Sequence, residues 1–393
     1  MPTIRYGLAT TRYVDFLYFQ AGGGHRSAAL ALQSVLASQH PEWEVRLVDA
    51  QQVLDPIDIL RKVTGIRTED IYNKMLAKGW TLKSEYLLPV LHGLIRVLHR
   101  EQVKMFRSFW AQRRPDVVVS LIPNLNRSLF ESLQTVHPGV PYITILTDLA
   151  DYPPHFWIEK QAQYFICGTP RAVEQARELG HPPERIFLTS GMILRPLFYE
   201  AAPVDIAAER RRLGLDPDLP TALIMFGGEG SAKMKTIAKR LGRCGLDLQM
   251  IFICGKNAKL RAKLERLETR NRKFVEGFTS QVPYYMRLAD FFIGKAGPGS
   301  ISEAIHMGLP VIVERNAWTL PQEVFNTHWV AEQGVGIAVK NFNNIVPVAR
   351  RMLGAGGLVG MREATSRIHN RAVFEIPDVL NRVMAMADAP VER

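Results

Sequence analysis

Residues 290–314 read DFFIGKAGPGSISEAIHMGLPVIVE. A short apolar run enters the loop Lys295-Ala296-Gly297-Pro298-Gly299-Ser300, a helical pattern follows, and a second apolar run closes the unit. Near-continuous apolar runs, without polar alternation, mark strands covered on both faces of a parallel sheet. The glycines let backbone N–H groups approach a ligand, and a helix start adds about half a positive charge. The stretch therefore predicts one strand–loop–helix–strand unit of a doubly wound sheet, with an anion held where the helix begins.

Outward from it the same unit recurs. In the second half TALIMFGG, LQMIFICG, KFVEGF, PVIVE and GIAV read as further strands, and in the first half DFLYFQ, EVRLVDA, PDVVVSLI, YITILTD, YFICGT and IFLTSG do. Helical stretches separate most of them, as with Ala28, Ala31, Leu32, Val35 and Leu36 at i, i+3, i+4 spacing. Between the halves the texture breaks into MILRPLFYEAAPVDIAAERRRLGLDPDLP (192–220), rich in proline and charge, which reads as a linker. The expectation is α/β, with two doubly wound Rossmann-like domains, residues 1–198 and 199–393, and ligands at the carboxyl ends of the strands.

Composition bounds the function. The chain has 393 residues, 47% of them hydrophobic, 22% charged, and a net charge of +11. Three dispersed cysteines argue against a disulfide framework or a zinc site. The N-terminal residues lack a charged segment followed by an apolar one, so no signal peptide is expected, and no apolar run reaches the roughly 18 residues of a membrane span. The positive charge concentrates in residues 57–114, where twelve lysines and arginines stand against five acids beside Trp80, Trp110, Tyr72, Tyr86, Phe106 and Phe109. That segment reads either as a solvated helical face or as an interfacial element drawn to an anionic membrane. Nucleic acid is not expected, because no base-reading motif accompanies the charge.

The chemistry-bearing residues lie at strand ends. Gly228 and Glu229 follow the first strand of the second half, Gly255, Lys256 and Asn257 the next, and Phe278 the third. With Gly297, Pro298, Gly299 and Ser300 they make four loops suited to a phosphate-bearing nucleotide. Ser300 and Glu303 have the S-x-x-E spacing of a capping box, and Glu303 could equally accept hydrogen bonds from a ribose diol. In the first half, FQAGGGHRSAA (19–29) puts Gly24 and His25 after a strand, so His25 is either a catalytic base or a helix-start histidine with a local bond. ITILTDLADYPPHFW (143–157) places Asp148 and His155 after another strand. Gly22-x-Gly24-x-x-Ser27 with Asp49 is also close to a dinucleotide fingerprint, short of its third glycine.

GKAGPGSISEA, LPQEVFN (320–326), GGGHRSAA and FTSQVPYYMRLAD (278–290) together resemble the family 28 nucleotide-sugar glycosyltransferases of the monogalactosyldiacylglycerol synthase type. They are more distantly similar to the N-acetylglucosaminyltransferase of the peptidoglycan lipid intermediate. The likeness runs from about Phe16 to Val339. It implies a GT-B fold and a UDP-sugar donor held mainly by the second domain, with no metal or other cofactor; Asp148-Leu149-Ala150-Asp151 lacks the spacing of a metal-binding DxD motif. It further implies Phe278 beside the uracil, Glu303 on the ribose and the Gly299/Ser300 helix start on the diphosphate. Pro321, Gln322, Glu323 and Asn326 fall in the sugar-binding segment. His25 would be the base, with Asp148 and His155 in the same cleft.

The expected activity is inverting transfer of galactose or glucose from a UDP-sugar to diacylglycerol by a peripheral enzyme at the cytoplasmic membrane face. A UDP-N-acetylglucosamine-dependent transferase acting on another lipid or isoprenoid acceptor is the alternative. A dinucleotide-dependent oxidoreductase and a non-catalytic lipid- or nucleotide-binding protein are the more distant ones. The oligomeric state is left open.

Overall fold

The computed structural model describes residues 11–20, 23–57, 97–200, 203–316 and 319–389. Strands β1 (Arg12–Tyr18), β2 (Trp43–Asp49), β3 (Val117–Ser120), β4 (Tyr142–Ile145), β5 (Tyr164–Cys167) and β6 (Ile186–Leu188) form one sheet in the order β2-β1-β3-β4-β5-β6. Strands β7 (Thr221–Met225), β8 (Gln249–Ile253), β9 (Lys273–Glu276), β10 (Phe291–Gly294), β11 (Val311–Glu314) and β12 (Gly336–Val339) form the second in the order β12-β11-β10-β7-β8-β9. Every pairing in both sheets is parallel.

The two-residue period of a strand explains why these runs are largely apolar. On β7, Leu223 and Met225 enter one core layer while Ala222 and Ile224 enter the layer behind the sheet. On β1, Val14 and Phe16 face one layer and Leu17 the other. Helices cover both faces, as a parallel sheet requires.

Strand order reverses between β1 and β3 in the first sheet and between β7 and β10 in the second. Loops leaving two such strands diverge to opposite faces and open a crevice at their carboxyl ends. Each sheet thus has one crevice. The first carries the helix Gly24–Gln39, and the second carries the helix Pro298–His306.

Two segments tie the halves together. The stretch expected as a linker holds a helix, Ile206–Arg212, and buries Leu194, Phe198 and Leu215 in the second half's core. The helix Ala372–Asp388 leaves the second half and packs Val373, Ile376, Leu380, Val383 and Met384 into the core of the first sheet. At its start Ser190 donates to the Glu375 carboxylate through both its backbone N–H (2.8 Å) and its hydroxyl (2.6 Å). At its end Asp388 meets Arg12 at 2.5 Å.

Of the basic segment 57–114, residues 58–96 lie outside the described residues. The helix His99–Trp110 buries Val103, Phe106 and Trp110 and turns Arg100, Lys104 and Arg107 outward. Among the described residues no helix is long and apolar enough to cross a membrane.

Candidate active site

The first crevice is built on a glycine. Gly23 caps the helix Gly24–Gln39 with φ 77°, in the left-handed region where a β-carbon costs roughly 1–2 kcal/mol. That turn sets His25 in the first helical turn, half-buried, with its ring centroid 5.9 Å from that of Trp157 and 6.5 Å from that of Phe19. Nδ1 of His25 and Oγ1 of Thr147 are hydrogen-bonded at 3.1 Å. Loss of water around the ring lowers the imidazole to about 4, against a smaller opposite effect of a hydrogen bond to the Leu121 backbone. At neutral pH His25 is therefore uncharged.

Asp148 stands near the start of the loop after β4, buried, and accepts the Trp157 indole N–H at 3.0 Å. Burial pushes its carboxyl up to about 7; the Trp157 bond opposes that, and the charges of Glu323 and Lys295 reach it from the other half. Asp151, also buried, accepts the backbone N–H groups of His155 (3.0 Å) and Trp157 (2.6 Å) and so shapes the loop between them. Behind the loop Asn126 donates to the Trp157 carbonyl at 3.0 Å and to the Ile122 carbonyl at 3.2 Å. Its own carbonyl oxygen accepts Ser120 and Tyr142 hydroxyls at 2.7 and 2.8 Å. His155 itself is exposed, at φ 65°, so the structure uses its backbone in the loop and leaves its side chain outside.

The second crevice contains the predicted donor residues in two groups. In one, the loops after β7 and β8 lock together. Lys256 N–H donates to Gly228 O at 2.8 Å, and a β-carbon on Gly255 would stand 2.1 Å from that same oxygen. Asn257 caps the helix Ala258–Glu265 through its side-chain oxygen and donates to Glu229 O at 3.3 Å. Its amide is thus spent on holding loops. Phe278, after β9, is 68% exposed, with the Lys256 ammonium 5.9 Å from its ring centroid. An aromatic face this open is suited to stacking on a planar base.

In the other group, the loop after β10 meets the helix Pro321–Glu332. The helix Pro298–His306 is capped by Gly297 with Pro298 at its first position, so Ser300 and Glu303 do not form the capping box their spacing allowed. The first intrahelical bond runs from Ile301 N–H to Gly297 O. The Gly299 and Ser300 amides therefore precede the hydrogen-bonded ladder and remain available to an anion. The Glu303 carboxyl takes no hydrogen bond among the described residues, and burial pushes it up to about 7 with Arg195 as the opposing charge. Lys295 donates to Glu323 at 3.1 Å. Asn326 is fully buried and donates to Ala296 O at 2.8 Å, which fixes the loop, while its side-chain oxygen has no partner among the described residues. Gln322 and Pro321, half-buried, stand at the start of their helix.

The crevices meet. Tyr152 and Phe325 rings, one from each half, lie 5.4 Å apart, and the charges of Lys295 and Glu323 bear on Asp148. Sequence reasoning did not single out Thr147, Trp157, Lys295 or Arg195 as site residues. The first three stood inside motifs it quoted, and only the fold joins them. Asp49, the acidic residue of a dinucleotide fingerprint, instead caps the helix Ala50–Leu54 and accepts from Gln51 N–H and Gln52 Nε2. Among the described residues no three of His, Cys, Asp and Glu gather to hold a metal.

Two Rossmann-like sheets whose crevices meet make up the GT-B fold. Two solved structures share the fold: MurG of Acinetobacter baumannii (TM-score 0.62, 13% identical, covering 94% of this chain and 99% of that one) and S. aureus MnaA with UDP (TM-score 0.60, 16% identical, 97% and 100%). Residues 222–316 match the glycosyltransferase family 28 C-terminal domain. Over 354 residues the chain is 30% identical to a probable monogalactosyldiacylglycerol synthase 2, chloroplastic, of Oryza sativa subsp. japonica, covering 85% of this chain and 72% of the relative. The chain belongs to the monogalactosyldiacylglycerol synthase family and is a hexosyltransferase, which removes the oxidoreductase and the non-catalytic alternatives.

Proposed function

We propose that the protein transfers galactose or glucose from a UDP-sugar to the free hydroxyl of diacylglycerol at a membrane surface, with inversion and without a metal ion. The observation that carries this reading is an uncharged His25 in the crevice whose Asp148 feels the charges of Lys295 and Glu323 from the other half. The relatives' names supply the lipid acceptor and the galactosyl group.

In the proposed reaction the acceptor oxygen attacks the anomeric carbon from the side opposite the diphosphate. The new C–O bond forms as the bond to the UDP oxygen breaks, and UDP leaves with that electron pair. His25 takes the hydroxyl proton. An imidazole at about 4 is a weak base. The arriving diphosphate adds negative charge nearby and raises it toward the working range. The helix start at Gly299 and Ser300 meets the charge that grows on the leaving group. Phe278 stacks on uracil, Glu303 accepts from the ribose hydroxyls, and Gln322 and Glu323 face the sugar. Gly24, Gly228, Glu229, Gly255, Lys256, Asn257, Gly297, Pro298, Pro321 and Asn326 shape the surrounding loops. Asp148, held by Trp157, orients the acceptor. The outward Arg100, Lys104 and Arg107 support docking of this region on an anionic leaflet.

The test is incubation with a panel of radiolabelled UDP-sugars and diacylglycerol liposomes, with and without EDTA, followed by lipid chromatography. Labelled monohexosyl lipid from UDP-galactose or UDP-glucose, unaffected by EDTA, is expected. Labelling only from UDP-N-acetylglucosamine onto another lipid would overturn the assignment of sugar and acceptor.

A further inference from the structure

The lysine in the quoted stretch has a geometry that its neighbours make specific. Its stem runs between the two glycine loops of the second crevice. A β-carbon on Gly297 would lie 3.1 Å from Lys295 Cε, and one on Gly227 would lie 3.9 Å from it. A side chain at Gly297 would crowd the stem, whereas one at Gly227 would only touch it. The stem brings the ammonium beside the helix start that offers the Gly299 and Ser300 amides. The ammonium ends on Glu323 Oε1 at 3.1 Å. The partners differ in access: the lysine side chain is 39% exposed and the glutamate 10%. The lysine can turn to a newcomer, whereas the carboxylate stays where it is.

A second pair nearby shows what a fixed arrangement looks like. Lys233 contacts Glu314, and the other oxygen of Glu314 accepts the Phe342 backbone N–H at 3.3 Å. That carboxylate is anchored at both ends. Among the described residues the Glu323 carboxylate accepts only from Lys295. Take the lysine away and a buried carboxylate needs new donors, because an unpaired one is costly.

We propose that Lys295 is a diphosphate ligand that exchanges partners: it holds Glu323 until the donor's diphosphate takes the ammonium, and the released Glu323 carboxylate then accepts hydroxyls of the sugar. The inference rests on the UDP-sugar reading and adds the residue that couples the two ends of the donor. The exchange is complete only with an intact UDP-sugar, because UDP alone takes the lysine and leaves Glu323 without donors. The same lysine supplies positive charge on the leaving side of the reaction.

The experiment is calorimetric titration of wild type, Lys295→Met and Glu323→Gln with UDP and with uridine, alongside steady-state kinetics. Lys295→Met weakens UDP about 10- to 100-fold, the effect of losing one charge-assisted bond. Its uridine affinity stays within about twofold, which also reports an intact fold. Glu323→Gln removes the competing carboxylate, so UDP affinity is equal or higher while kcat/KM for the UDP-sugar falls about tenfold or more. UDP binding by Lys295→Met equal to wild type overturns the lysine assignment, and so does a loss of UDP affinity in Glu323→Gln as large as in Lys295→Met. Wild type that binds uridine and UDP equally overturns it too. Wild type that binds neither removes the donor reading beneath it.

Discussion

Gly23-Gly24-His25 and Gly297-Pro298-Gly299 occupy the same place in two sheets. Each follows a strand at a reversal of strand order and starts a helix. They differ in what they present. The first points a half-buried imidazole, kept uncharged by its surroundings, at the cleft. The second presents backbone amides, with a lysine laid across the glycines. One fold element thus serves proton transfer in one half and anion binding in the other, and the halves differ in where the functional side chain sits: His25 follows its glycines, whereas Lys295 precedes Gly297 and Gly299.

The comparison breaks hardest at His25. His25→Ala is expected to lower kcat by about 10²–10⁴-fold with UDP affinity unchanged; a variant that turns over near the wild-type rate ends the assignment of a base to the first crevice. Next in size is the link between the halves. Leu380→Ala, on the helix Ala372–Asp388 but inside the first half's core, should cost about 2–5 kcal/mol in denaturant unfolding. A loss under 1 kcal/mol would mean that the helix covers the first sheet only loosely.

Glu303 sharpens the contrast through pH. Its carboxyl, pushed up to about 7, is protonated below that value and accepts ribose hydroxyls fully only above it. UDP affinity should therefore rise from pH 6 to pH 8, and Glu303→Gln should bind about tenfold more weakly with a flat profile. The same raised value means that the folded chain keeps a proton the unfolded chain has lost between about pH 4 and 7, so this group's contribution to stability falls as pH rises through that window. His25 has the opposite sign. Its lowered value removes stability as pH falls from about 6.5 toward 4. Thermal unfolding of Glu303→Gln and His25→Ala across pH 4–8 separates the two. The smallest effect is expected at Phe278, where Phe278→Ala should weaken UDP about fivefold or more by loss of stacking and leave kcat alone.

The strands were legible because burial on both faces keeps most of a parallel strand apolar, the buried Asp15 of β1 paired with Arg46 of β2 being an exception. All twelve apolar runs became strands, from TALIMF to GIAV. The glycine loops were legible for the same local reason. The side-chain partners were less so. Ser300-x-x-Glu303 carries a capping signature, yet Pro298 starts the helix earlier and leaves Glu303 beyond the first turn. Asn257 and Asn326 read as ligands by type, and their structural bonds, a helix cap and a tie to the Ala296 carbonyl, were not legible in the spacing. Lys295 became visible only when Glu323, on another helix, closed on it. Local spacing reports strands and turns, whereas these pairings depend on which loops the sheet order brings to one crevice.

The crossing helix has a consequence for how the protein is made. Val14 and Phe16 emerge early from the ribosome, but Val373, Ile376 and Leu380, which share their core, emerge only after the whole second sheet. The first half therefore waits through most of synthesis with this face covered only in part, by the helix Gly24–Gln39, and its final cooperative closure comes last.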